Sequence, residues 1–286
     1  MSFALVVDKA FPSRDCPDVG HDAGSAIIQT RLTYRARMAN IVARQIYPYR
    51  NERVTMKQLF TSLFIAVFII SGTPAVADDF TDGLEFYEQE NFAAAAAAFK
   101  KAADKGKPDA QFNLGLMYLN GEGIEQDYQQ AMALFEQAAE QDNVRAQVNL
   151  ARMYAKGKGA APNYGKAVFW FKKAAGLGYA DAQYSLGVLY VTGNGVPRDY
   201  RKAYDLFLQA ADQNNASAQY QLGLMYFKGK AVAVNLVEAM KWLILAGDYD
   251  EAVSYRKYAE TKMSKEQIAE AKAQADEWTP IAPEKP

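Results

Sequence analysis

The most regular feature of the chain is where its small and apolar residues fall. Between residues 110 and 120, Ala110, Leu114, Met117 and Tyr118 recur at helical spacing and predict a helix, here called A. Gly121, Glu122 and Gly123 interrupt it, since glycine accepts the left-handed backbone that ends a helix. Between residues 128 and 140, Ala131, Leu134, Phe135, Ala138 and Ala139 predict a second helix, B. The alanines leave room for neighbouring helices to approach closely, and Tyr118 and Phe135 fill the gaps. One such hairpin cannot bury its own apolar stripe.

The same pattern returns every 36 residues. Ala110-Gln111 is followed by Ala146-Gln147, Ala182-Gln183 and Ala218-Gln219; Leu114 by Leu150, Leu186 and Leu222; Tyr118 by Tyr154, Tyr190 and Tyr226. In helix B, Phe135 is followed by Phe171, Phe207 and Leu243. A fixed period of this length marks a repeat array, in which stacking buries what each unit leaves exposed. The fourth unit diverges: Ala231 stands at the second glycine and Leu236 at the loop tyrosine, as terminal units often do. Beyond it, residues 249–262 predict one more helix. Ser264 with Gln267 predicts a capping box, and Met263 with Ile268 a hydrophobic staple, at the start of a final helix through about Trp278. Pro280, Pro283 and Pro286 mark a frayed tail.

The run A-x-x-x-L-G-x-x-Y-x-x-G-x-G at residues 110–123, with D-Y-x-x-A-x-x-x-F-x-x-A-A at residues 127–139, resembles the Sel1-like repeat family, a relative of the tetratricopeptide repeat. The resemblance covers residues 110 to about 250. It implies an all-α fold, a right-handed α/α superhelix (solenoid) of antiparallel helix pairs. Residues 78–109 are similar to a plain tetratricopeptide hairpin, with Gly83, Phe86, Ala95, Phe99 and Ala102 at that repeat's spacing. The expected division is that first hairpin, repeats at 110–145, 146–181, 182–217 and 218–252, capping helices at 253–278 and a tail at 279–286. Some family members carry a disulfide in every repeat. This chain departs from them entirely, so stability must come from packing.

The start of the chain reads differently. Met56-Lys57-Gln58, an apolar run from Leu59 to Ile70, then Ala75-Val76-Ala77 match a secretory signal peptide over residues 56–77, cleaved after Ala77. The run is short of the roughly 20 apolar residues that a spanning helix needs. Residues 1–55 then precede the initiator and fall outside the mature protein. The alternative is an uncleaved anchor with a cytoplasmic tail, whose eight Lys and Arg would orient it inward. The preferred expectation is a periplasmic or secreted protein.

Composition narrows the chemistry. The single Cys and single His, Cys16 and His21, both precede the signal-like segment. After Ala77 there is therefore no thiol, no imidazole and no Cys/His metal site, so no metal or cofactor is expected. That part holds 23 Lys and Arg against 28 Asp and Glu, a mildly acidic balance that does not point to nucleic acid. The Gly-x-Gly turns lack the preceding strand that a nucleotide loop needs. Carboxylate pairs such as Glu136 and Glu140, four apart on helix B, read as a solvated face. No catalytic residue is assigned.

What remains is a binding surface. The tetratricopeptide resemblance implies that A helices line a groove. By register from Gly115, the groove positions hold Phe112, Val148, Tyr184 and Tyr220; next to them Asn113, Asn149, Ser185 and Gln221; and one turn on Leu116, Arg152, Val188 and Leu224. Aromatic anchors beside amides suit a peptide ligand. A second placement stays open, in which Phe112, Tyr184 and Tyr220 pack between adjacent A helices. The expected function is an adaptor or regulator binding a protein or peptide partner, such as the periplasmic domain of a membrane signalling protein or an envelope enzyme. The rivals are a carboxylate enzyme acting on cell-wall material and a secreted host-interaction factor.

Overall fold

The computed structural model describes residues 78–248 and 250–281. The signal-like segment 56–77, the upstream stretch 1–55 and the tail beyond 281 lie outside the described residues. Among the described residues there are twelve helices and no strand. The all-α expectation holds. A boundary after Asp127 separates two compact units.

The first unit comprises α1 (Asp79–Glu88), α2 (Phe92–Asp104) and α3 (Pro108–Asn120). Helix α1 meets α2 where Gly83 faces Phe99; a Cβ at Gly83 would lie 2.5 Å from that ring. Ala95, Ala96 and Ala98 are buried, so the alanine run of α2 is a close-packing face. Lys105 and Lys107 pair with Asp79 and Asp78, tying the end of α2 to the start of α1. Gly121 ends α3 at φ 76°, the left-handed stop read from the sequence.

The second unit runs from α4 (Tyr128–Glu140) through α5 (Val144–Lys156), α6 (Tyr164–Gly176), α7 (Ala180–Thr192), α8 (Tyr200–Asp212), α9 (Ala216–Lys228) and α10 (Leu236–Leu245) to α11 (Asp250–Glu260) and α12 (Lys265–Asp276). The A helices are α5, α7 and α9; the B helices are α4, α6, α8 and α10. Phe135, Phe171, Phe207 and Leu243, one per B helix, are at most 1% exposed and form the core column. Opposite them the A helices carry small residues. A Cβ at Gly187 would lie 2.6 Å from the Phe207 ring, and one at Gly223 would lie 2.7 Å from Leu243. The register thus pairs a small residue with a large one, which lets the axes approach.

Each A–B connection closes on a main-chain hydrogen bond, with the Asn163 N–H donating to the Tyr154 carbonyl at 2.8 Å and Asp199 to Tyr190 at 2.9 Å. The closing residue then caps the B helix, because the Asn163 and Asp199 side chains accept from N–H groups of the first turn. The second glycine of each connection joins consecutive repeats. A Cβ at Gly159 would lie 2.5 Å from the Tyr128 carbonyl oxygen, and one at Gly195 would lie 2.7 Å from Tyr164. Each turn therefore rests on the first residue of the preceding B helix.

At the far end, the capping box is present: the Ser264 N–H donates to Gln267 Oε1 at 2.9 Å, and the Gln267 N–H to Ser264 Oγ at 3.3 Å. Helix α12 packs on α10, burying Ala271 with Met240 and Ala259. Trp278 lies edge-on to Trp242 at 6.2 Å between centroids. The Ile281 N–H donates to the Asp212 carbonyl at 2.7 Å, which ties down the first residues of the tail.

Candidate protein-interaction face

The eleven proposed binding positions sit on the four A-type helices, and their burial divides them. On α3, Phe112, Asn113 and Leu116 are buried, and among the described residues Asn113 Oδ1 has no hydrogen-bond partner. On α5, Val148 and Asn149 are buried, with Asn149 Nδ2 donating to the Arg145 carbonyl at 3.0 Å, while Arg152 is half-buried. On α7, Val188 is buried beside Phe207, Ala218 and Leu222, and Tyr184 is half-buried with its ring 5.9 Å from Phe207. On α9, Tyr220 and Leu224 are buried against Leu243, Ala246 and Ala252, with Tyr255 of α11 on Tyr220 at 6.1 Å. Gln221 is half-buried.

Tyr220 packs against α10 and α11, and Phe112 is more deeply buried still. Helix α11 follows the last A helix and covers its aromatic residue. Arg152, Tyr184 and Gln221 keep solvent-facing surface.

A polar chain ties these A helices together. Arg152 Nη2 contacts Asp181 Oδ2 at 3.0 Å, and Asn215 Nδ2 donates to Asp181 Oδ1 at 3.0 Å. Asn215 Oδ1 in turn accepts from the Ala218 N–H at 2.9 Å, capping α9. Asp181 thus joins α5, through α7, to the start of α9. Periodicity does not single out Asp181, because the corresponding residues are Asp109, Arg145 and Ser217.

The recurring glutamines also have work that their spacing alone does not show. Gln147 Nε2 donates to the Ala139 carbonyl at 3.2 Å, and Gln219 Nε2 to the Ala211 carbonyl at 3.4 Å. In these two copies the A-helix glutamine adds a side-chain hydrogen bond to a carbonyl in the last turn of the preceding B helix, which also accepts a main-chain N–H. In the third copy, Gln183 Nε2 donates to Gln209 Oε1 at 3.2 Å, and Gln183 Oε1 accepts from Gln213 at 2.8 Å.

Glu136 accepts from the Tyr154 hydroxyl at 3.5 Å, and Glu140 is exposed. The Tyr154 hydroxyl also takes Lys166 Nζ at 3.1 Å, and that hydrogen bond raises the lysine's pKa. Among the described residues, no group of three or more His, Cys, Asp and Glu could hold a metal ion. No described helix is long and apolar enough to cross a membrane.

Comparison with protein families matches the Sel1 repeat at residues 108–143, 144–179, 180–215 and 216–248, and a tetratricopeptide repeat at residues 80–123. This is a Sel1-repeat protein. A solved structure of a Sel1 repeat protein from Oxalobacter formigenes is 37% identical, with a TM-score of 0.53, and covers 58% of this chain and 49% of its own. The chain thus spans about half the length of that relative. A Sel1 repeat protein from Klebsiella pneumoniae is 23% identical, with a TM-score of 0.43, over 65% of this chain and 97% of its own. None of the curated proteins compared with the chain matches it. The resemblance read from residues 110–139 is therefore the family, and the array is of the solenoid kind.

Proposed function

We propose that this Sel1-repeat protein is a protein-interaction scaffold of the bacterial envelope, acting by binding alone as an adaptor or regulator. The observation that carries the reading is the set of A helices that Asp181 links through Arg152 and Asn215, on which Tyr184 and Gln221 are half-buried. Such a strip offers a peptide what it needs, an aromatic contact and amide or charged groups for its main chain. The residues after Ala77 lack His and Cys, which leaves little for turnover. Placement outside the inner membrane rests on the signal-like pattern at residues 56–77, and the partner would be an envelope enzyme or the outer domain of a membrane signalling protein.

The test is affinity capture from envelope extracts with the wild type and with the triple variant Arg152→Gln, Tyr184→Ala, Gln221→Ala. The reading requires a discrete partner that the wild type retains and the variant loses at unchanged helicity. Equal retention by both would remove the A-helix strip from the account. Mass measurement of the exported product checks the compartment, with Asp78 expected as its first residue.

A further inference from the structure

The A–B turns of the second unit form an edge whose charge opposes that of the chain as a whole. The stretch from Lys156 to Lys166 carries Lys156, Lys158 and Lys166 and no acid; that from Thr192 to Lys202 carries Arg198, Arg201 and Lys202 against Asp199. The fourth repeat adds Lys228 and Lys230 against Glu238, which pairs with Lys241. The opposite B–A turns carry Glu140, Asp142, Asp212 and Asp248. Segregation of this kind gives one edge a positive field although the sum is acidic.

The geometry makes the turns one continuous surface. Gly159 rests on Tyr128 and Gly195 on Tyr164, so each turn stacks on the preceding repeat. The cations follow the same stacking. Lys158 Nζ lies 5.0 Å from the Tyr128 ring centre, while Lys230 and Arg198 lie 5.3 and 6.0 Å from that of Tyr200. Tyrosine faces hold these cations in place while leaving them solvated. Lys158, Lys166, Arg198 and Lys228 are exposed, and none of the four has a carboxylate at ion-pair distance among the described residues. Each turn rests on the first residue of the preceding B helix, so an extended peptide laid along this edge meets the turns in succession.

We propose that this basic edge is a second docking surface, separate from the A-helix strip, for an extended acidic peptide segment whose carboxylates meet successive turns. A peptide fits better than a lipid surface, since the cations follow one line of stacked turns with tyrosine rings between them. The attraction is between solvated charges, so it sets association rate and salt dependence more than the ultimate affinity.

The experiment is fluorescence anisotropy with a labelled glutamate-rich peptide of about twelve residues. Its glutamine counterpart is the control, and phosphatidylglycerol vesicles form a separate arm. The wild type is expected to bind the acidic peptide, with affinity falling as salt rises, and not the glutamine peptide. Lys158→Gln with Arg198→Gln and Lys228→Gln should weaken binding about tenfold, and Lys158→Arg with Lys228→Arg should retain it. Arg152→Gln, on the A-helix strip, should leave it unchanged, so failure here is separable from failure of the scaffold reading. Absence of peptide binding, equal binding by the triple glutamine variant, or edge-dependent binding of vesicles alone would overturn the proposal.

Discussion

Arg152 and Asp181 stand 29 residues apart in sequence and in contact at 3.0 Å, across the boundary between two successive repeats. The second oxygen of Asp181 holds Asn215, the cap of the next A helix, so a single carboxylate links α5 and α7 to the start of α9. Asp181→Ala should therefore lower stability by about 0.5–1 kcal/mol, the usual worth of a partly exposed ion pair. Thermal melting followed by circular dichroism checks this, with a midpoint drop of about 1–4 °C. Exchanging the charges, with Arg152→Asp and Asp181→Arg together, should recover part of the loss.

The core column and the B-helix surface should respond oppositely to the same truncation. Phe207 is 0% exposed and faces Gly187. Phe207→Ala leaves a cavity and should cost about 3–5 kcal/mol. Phe169, 60% exposed on α6, should cost within about 0.5 kcal/mol. Urea denaturation of the two variants makes the comparison, and similar midpoints would contradict the assigned register.

Gly187 and Ala151 occupy equivalent positions opposite Phe207 and Phe171. A Cβ at Gly187 meets ring carbons at 2.6 and 2.8 Å, so the third repeat packs tighter than the second. Gly187→Ala should destabilise by about 1–3 kcal/mol through overpacking, despite alanine's better helix propensity. Gly176, with nothing near its would-be Cβ, supplies the contrast. Gly176→Ala should be neutral or stabilising by up to about 1 kcal/mol.

Burial raises the pKa of Asp212, with Lys241 opposing the shift only in part. A carboxylic acid whose folded pKa is raised binds more protons folded than unfolded, so its contribution to stability falls as pH climbs through the carboxylate range. Asp212→Asn should therefore gain on the wild type between pH 4 and 7, with the difference growing toward pH 7 (roughly the span over which carboxylates titrate). Chemical denaturation at both ends of that range gives the sign.

The repeat was legible because its period is a packing requirement. The spacing that aligns Phe135, Phe171, Phe207 and Leu243 places them in one column. Ser264 and Gln267 announced a helix start by local chemistry alone, and the bonds are there. The candidate interaction positions were legible only as a register. Tyr184 and Tyr220 hold equivalent positions, yet Tyr220 lies under α11, because the last A helix has a different neighbour. Asp181 and Asn215 escaped notice for the converse reason, since their pairing belongs to one copy and leaves no periodic trace.

The central claim is that the A-helix face receives a protein partner. Site-specific photocrosslinking in living cells tests it most directly, with the photoreactive residue placed at position 152, 221 or, on the B-helix surface, 169. The account predicts one discrete adduct shared by positions 152 and 221 and absent from 169. Failure of both A-helix positions to yield it, or an equal yield from 169, would contradict the account.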